Sequence, residues 1–344
     1  MTPILLALGH QIDVMNEQKR GQVLESFAGK LAVITGGGTG MGRELARQLM
    51  AEGCDVAICD VIDENMAATV RICESEAPQG VRVTAHRCDV ADEEEVKRFR
   101  DEVVEQHNRD YVNLLFNNAG IGGVVSFVNE SREDWERTFN ICWYGVYYCS
   151  RAFMPLLVAS DEAHLVNTSS VNGFWATLGP GSTHSAYAAA KFAVKGFSEA
   201  LVTDFKNNAP HVGVSVVMPG HIGTSIAINS GKVMGRPAAE DMPADQIAAV
   251  RVRIEKQGMD VSAFSDDQIR QFIKQRGEEF RDNAPTTAAE AAAEMLKGVK
   301  EKRWRILLGD DARLLDEMVR ENPEQAYEDE FAITFRERAE WQLG

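Results

Sequence analysis

Apolar residues fall into short runs of strand length at 31–35, 56–59, 81–85, 112–116, 165–168 and 214–217. Between these runs they recur every three or four positions, as in 93–107. The short runs predict strands buried on both faces, and the longer stretches predict amphipathic helices. Their alternation predicts repeated βαβ units from about residue 29 to 220. The expected fold is therefore α/β, a Rossmann-like doubly wound parallel sheet. Residues 1–28 form an N-terminal extension, in which 11–24 has helical spacing but no evident chemistry. After Gly220 the pattern breaks. Residues 225–283 are rich in Gln, Arg, Asp and Glu, with apolar positions at helical spacing near Ile269, Phe272 and Ile273. They read as one or two helices of a substrate-lid insertion, too polar to be core. Pro285-Thr286-Thr287 resembles a helix start for 288–300, and a last strand fits 305–308. The acidic tail 311–344 is expected to be helical and packed on the surface. The chain thus reads as one domain, 29–310, with an N-terminal extension, an enlarged C-terminal lid and a tail.

Composition changes this picture little but excludes several functions. At 344 residues and 44% hydrophobic, the chain can bury a substantial core. A net charge of −16 argues against nucleic acid and anionic membranes as partners. There is no apolar run long enough for a membrane span, and the apolar opening 3–8 lacks the basic flank of a secretory leader. The six cysteines form no Cys-x-x-Cys pair. They read as reduced, buried thiols of a cytoplasmic protein. The seven histidines are scattered, with no ligand pair at helical spacing, so no metal is expected.

The chemistry lies at the strand ends. Thr35 closes the first strand, and a helix resumes at Arg43. Between them Gly36, Gly38, Thr39, Gly40, Met41 and Gly42 form a turn whose backbone N–H groups and helix N-terminus can approach a pyrophosphate. The spacing Gly-x-x-x-Gly-x-Gly is not the common dinucleotide fingerprint, and such a turn also closes βα units that hold no ligand. The second strand ends in Asp60, about where a carboxylate would meet the adenosine ribose. It would accept from both ribose hydroxyls and repel a 2′-phosphate, which favours NAD over NADP. A strand-end aspartate that only supports a turn is the competing reading. Arg43 reads as a solvated helix-surface residue. Further along stand Ser170 and the pair Tyr187 and Lys191, one helical turn apart. An ammonium at that spacing favours a phenolate and lowers the phenol pKa from its usual value near 10. The set can then relay a proton. Tyr-x-x-x-Lys is common by chance, but behind a nucleotide turn it suggests hydride transfer.

In order and spacing these motifs resemble the classical short-chain dehydrogenase/reductase family over about residues 29–225. The resemblance rests on Thr35-Gly36-x-x-x-Gly40-x-Gly42, Asp89-Val90 after the third strand and Asn117-Asn118-Ala119-Gly120 after the fourth. It continues with Asn140, Ser169-Ser170, Tyr187-x-x-x-Lys191 and Pro219-Gly220. It implies an NAD(P)-dependent enzyme that interconverts a secondary alcohol and its ketone. It also implies that Asp89 and Val90 border the adenine, and that Asn118, Ala119 and Gly120 shape the cleft beside the ribose. Ile222 and Thr224, after Pro219-Gly220, should lie against the nicotinamide. Tyr187 should move the proton, Lys191 should also touch the nicotinamide ribose, and Ser170 should hold the substrate oxygen. Asn140 should hold a water that links Lys191 to solvent. Ser169 rivals Ser170. The long interval between Ser170 and Tyr187 fits a looped-out 178–183. Ile121, Gly122, Phe174, Trp175 and Leu178 are expected to line an apolar pocket for a hydrophobic alcohol or ketone. His221 either lines that pocket or has a surface partner. The helices near 140–157 and 185–205 imply a homodimer or homotetramer. Two alternatives remain open at this point: an NADPH-dependent reductase, and a non-catalytic NAD(H)-binding redox sensor.

Overall fold

A computed structural model describes residues 24–123, 126–129, 131–179, 184–256 and 259–339. The first half runs β1 (Leu31–Thr35), α1 (Gly40–Ala51), β2 (Asp55–Asp60), α2 (Asp63–Glu76), β3 (Val83–Arg87), α3 (Glu93–His107) and β4 (Leu114–Asn117). There follow α4 (Arg132–Phe139), one π-helical turn (Asn140–Tyr144), α5 (Gly145–Val158), β5 (Ala163–Thr168), α6 (Ser185–Asn208) and β6 (Val212–Pro219). The remainder is β7 (Ile222–Gly223), α7 (Ile226–Val233), α8 (Ala244–Lys256), α9 (Asp266–Asp282), β8 (Thr286–Thr287), α10 (Ala288–Lys300), β9 (Arg305–Leu308), α11 (Asp310–Glu321) and α12 (Asp329–Ala339).

Seven strands form one sheet in the order β3-β2-β1-β4-β5-β6-β9, with every pairing parallel. The order reverses between β1 and β4. Adjacent crossovers therefore leave on opposite faces and open a crevice at the carboxyl ends of those strands. β1 shows why its sequence is apolar throughout. Leu31 and Val33 face a core with Phe99 and Phe153 on one side, while Ala32 and Ile34 face Leu45, Leu49 and Ile306 on the other. Helix boundaries follow local chemistry. The Asp92 carboxylate accepts the N–H groups of Glu94 and Glu95 at the start of α3, and Asn108 ends it in the left-handed region. Thr287 and Glu290 form a reciprocal capping box at the start of α10.

The C-terminal part departs from expectation in two ways. The described residues of 225–283 form α7, α8 and α9 with one 3-10 turn at Ala239–Asp241, and they enclose a small core of their own, with Ile247, Ile254, Val261 and Ile269 buried. The segment is thus too polar for the main core yet not without one. The described part of the tail forms two helices, whose Ala312, Leu315 and Phe335 close over Trp175. At the other end Leu24 and Phe27 are buried, and the Leu24 N–H donates to the Lys300 carbonyl at 3.0 Å. Apart from Leu24, the helix expected at 11–24 lies outside the described residues, as does the 180–183 part of the expected loop. Among the described residues no helix is long and apolar enough to cross a membrane.

Candidate functional site

The crevice between β1 and β4 is shaped by backbone. Gly36 has φ 66°, where a side chain would be strained. A Cβ at Gly42 would stand 2.1 Å from the Gly36 carbonyl oxygen, so the first turn of α1 closes only on glycine. Helix α1 begins at Thr39 with no side-chain cap and no acidic residue in its first turn. Its N-terminal N–H groups therefore suit an anion. Asp60 Oδ2 accepts the Gly38 N–H at 3.0 Å, and Oδ1 accepts those of Val61 and Ile62. Burial pushes its pKa up, against the pull of those three bonds. Oδ2, with one bond, keeps a lone pair for a hydroxyl donor. Arg43 is not solvated as expected: Nη2 donates to the Gly38 carbonyl at 2.6 Å and Nε to Thr69 Oγ1 at 3.0 Å, which locks the loop from behind.

Across the crevice, the Thr35 hydroxyl accepts the N–H groups of Asn118 and Ala119, both at 3.0 Å. Asn118 Nδ2 donates to the Thr35 carbonyl at 3.1 Å. Asp89 is turned toward α4, with Oδ2 2.5 Å from Arg137 Nη2 and Oδ1 accepting the Ala91 N–H. Val90 is buried. The groove lined by Gly36, Thr39, Asp60, Asn118, Ala119 and Thr224 has a volume of about 120 Å³. Glycine turn, uncapped helix end and strand-end carboxylate together fit the phosphate and ribose of a dinucleotide.

The relay residues meet next to this groove. Lys191 is 3% exposed and donates Nζ–H to the Thr168 carbonyl at 2.9 Å, which places it beside Gly120. Nζ lies 5.3 Å from the centre of the Tyr187 ring. Burial raises the Tyr187 phenol pKa, the nearby Cys142 sulfur adds to this, and a hydrogen bond with Ser170 opposes it. Burial also lowers the Lys191 ammonium pKa. The expected lowering of the phenol pKa is thus not seen here: burial is the largest influence and raises it.

The structure separates the two serines. Ser169 Oγ donates to the Lys191 carbonyl at 2.7 Å and holds α6 in place, whereas Ser170 bonds with Tyr187. Gly173 permits this approach, because a Cβ there would lie 2.3 Å from Ser169 Oγ and 2.9 Å from the Lys191 carbonyl oxygen. Asn140 begins the π turn, and its carbonyl accepts the Gly145 N–H. Such turns re-aim a helix and recur at functional sites.

Pro219, Gly220, Ile222 and Thr224 lead from β6 toward the groove. Beyond them α7 crosses it: Asn229 Nδ2 donates to Thr39 Oγ1 at 3.3 Å, and Ser230 Oγ accepts the Gly122 N–H at 2.9 Å. Under α7, α8 and α9 lies a larger cavity of about 950 Å³, which shares Asn229 and Ser230 with the groove. Ile228, Met242, Val250, Ile273 and several Gly and Ala residues line it. Its cations are paired, Lys232 with Glu64, Arg236 with Asp134 and Lys274 with Glu240.

Some expected pocket residues lie elsewhere. Trp175 is 1% exposed and belongs to the core under the tail, with Phe174 and Leu178 packed against that core. Tryptophan beside a sheet edge has no periodic partner in sequence, so its facing was not legible. His221 is neither in the cavity nor on the surface. Its N–H donates to Asp311 Oδ2 at 2.7 Å, and its ring bonds the Phe280 carbonyl at 2.8 Å. Sequence reasoning missed Asn167. The Asn117 amide donates to Asn167 Oδ1 at 2.8 Å, and Asn167 donates to Ser198 Oγ at 3.0 Å, so the ends of β4 and β5 are tied to α6. A polar residue inside an apolar strand was the available signal. His184 was also missed. Its ring packs at a tilt against Tyr187 with centres 4.6 Å apart, reaches the Gly123 backbone, and is held by burial at a pKa of about 4.

Comparison with known proteins accords with this geometry. A family model described as short chain dehydrogenase matches residues 30–234. The putative oxidoreductase SadH of Mycobacterium tuberculosis is 39% identical over 207 residues, 60% of this chain and 72% of that protein. The meso-2,3-butanediol dehydrogenase of Serratia marcescens is 33% identical over 200 residues, 58% of this chain and 74% of that protein. A short chain dehydrogenase/reductase from Burkholderia phymatum, solved in complex with NAD, superposes with a TM-score of 0.68 at 30% identity. That match covers 87% of this chain and 95% of the other.

Proposed function

The chain belongs to the short-chain dehydrogenase family, a family of oxidoreductases, and from that premise we propose that it interconverts a hydrophobic secondary alcohol and its ketone with NAD. One observation carries the reading: Ser170, Tyr187 and Lys191 meet beside Gly120 at the reversal of strand order. A nicotinamide nucleotide held there would supply the hydride chemistry. Tyr187 takes the alcohol proton in oxidation and returns it in reduction. Ser170 donates to the substrate oxygen and stabilises the charge that develops on it. Lys191, fixed by the Thr168 carbonyl, keeps its other N–H groups for the ribose and the relay. In this reading Asn140, which opens the π turn, holds a water that links Lys191 to solvent.

Asp60 supports NAD, because its carboxylate faces the ribose end of the groove while Arg43 is engaged with Gly38 and Thr69. The large cavity supports an uncharged, largely apolar substrate, since Ile228, Met242, Val250 and Ile273 line it and its cations have carboxylate partners. In this reading 225–283 is a lid over that substrate. The exposed aromatic face formed by Tyr144, Tyr147 and Phe192 on the π turn, α5 and α6 supports a homodimer or homotetramer. The test is oxidation of 2-octanol and cyclohexanol, with lactate as a charged comparison, using NAD and NADP and following reduced-nicotinamide absorbance. The expected result is NAD-linked turnover of the apolar alcohols. Preference for NADP, or for lactate, would overturn the assignment.

A further inference from the structure

The turn that carries Ser170 is gripped from two sides. Asn172 is 3% exposed, and its backbone N–H donates to Ser170 Oγ at 3.1 Å. Its side-chain amide donates to the carbonyls of Trp175 and Thr177, both at 2.8 Å. The next residues are held by the C-terminal segment. Trp175 Nε1–H donates to the Ala326 carbonyl at 2.6 Å, the Tyr327 hydroxyl accepts the Ala176 N–H at 3.2 Å, and Arg336 donates to the Leu178 carbonyl at 3.3 Å. Phe331 and Phe335 pack on the Trp175 ring with centres 5.9 Å away. A serine hydroxyl is a rotor with one proton and two lone pairs. One lone pair is taken by the Asn172 N–H, and Tyr187 is the other partner of the hydroxyl.

We propose that α11, α12 and the segment between them are a positioning device for Ser170, acting through Trp175 and Asn172. Trp175 and Asn172 are positioning residues, and this inference rests on the reading of Ser170 as catalytic. The test is a double-mutant cycle on the full chain, with 2-octanol and NAD. Trp175→Phe with Tyr327→Phe removes two hydrogen bonds and keeps apolar rings. In the wild-type background this pair is expected to lower kcat about tenfold, with NADH affinity within about twofold. In the Ser170→Ala background the same pair should lower kcat less than about twofold, because no hydroxyl is left to orient. An equal loss in both backgrounds would mean general loosening and would overturn the inference, as would no loss in the wild type. If the pair does not fold, Tyr327→Phe alone carries the cycle, with a loss of about threefold expected. A Ser170→Ala protein with full turnover, or a wild type inactive on secondary alcohols, would instead remove the catalytic reading, and the inference with it.

Discussion

The nucleotide crevice and the C-terminal region are built by different means. The crevice is assembled from backbone: the Gly36 turn, the uncapped start of α1, and N–H groups held by Asp60 and Thr35. Most of its parts are neighbours in sequence. The C-terminal region is held by side chains that reach across long stretches of chain. Trp175 and Ala326 are 151 residues apart, His221 and Asp311 are 90 apart, and Thr39 and Asn229 are 190 apart. A backbone-built site tolerates few changes, but it can be recognised in isolation. A site built from distant side chains can be varied freely and is specified only by the fold. Here the first kind would set the cofactor, and the second would set what reaches it and how the relay is held.

The comparison can be broken most sharply at the junction of the two regions. Tyr187→Phe removes only the hydroxyl, so kcat should fall by about 10³-fold while NADH binding stays within about twofold. Retained turnover on a confirmed alcohol would leave the crevice without its proton donor. Inside the crevice, Gly42→Ala forces a Cβ to 2.1 Å from the Gly36 carbonyl oxygen. Nucleotide affinity should drop by about a hundredfold, with a stability loss of about 2 kcal/mol. Calorimetry that finds normal NADH affinity in this variant would show that the turn does not hold the phosphates.

A third effect belongs to the buried histidines. Burial holds His107, His164 and His184 at pKa values of about 4, below the usual 6.5. A depressed folded pKa means that the unfolded chain takes up the protons first. The stability these groups contribute is therefore complete above about pH 6.5 and is lost as pH falls toward about 4. His164, bonded through Nε2 to Ser215 Oγ at 2.7 Å, should account for about 2 kcal/mol of the loss at about pH 5. Urea midpoints of wild type and His164→Gln at neutral and mildly acid pH check this. Parallel pH dependences for the two proteins would contradict it. The smallest effect is expected at Asp60. Asp60→Ala should narrow the preference for NAD over NADP by about tenfold. A wild type that binds NADPH more tightly than NADH would refute the role given to this carboxylate.

Legibility follows the same division. β1, α3, α10 and β9 occur within the boundaries that apolar period and capping residues predict, because burial on two faces and end chemistry are local. The strands near 81–85 and 112–116 shift by about two residues, since the frayed start of a strand is set by its neighbours. Ser170 and Ser169 are adjacent and chemically identical. Only the packing of α6 spends one on the Lys191 carbonyl and leaves the other to Tyr187. The upward shift of the Tyr187 pKa has a related cause. A sequence shows the charge one turn away but not the desolvation around it.

The sequence by itself determined the doubly wound sheet, the glycine turn, and the presence of Ser170, Tyr187 and Lys191. These depend on backbone conformation and on spacings along one strand or helix. Tertiary structure alone decided that Trp175 is clasped by the tail rather than lining a pocket. It also decided that His221 is pinned between Phe280 and Asp311, and that a cavity of about 950 Å³ opens beneath α7, α8 and α9. The physical reason is that burial is non-directional and long-ranged in sequence, so an aromatic ring joins whichever apolar surface the completed fold brings to it.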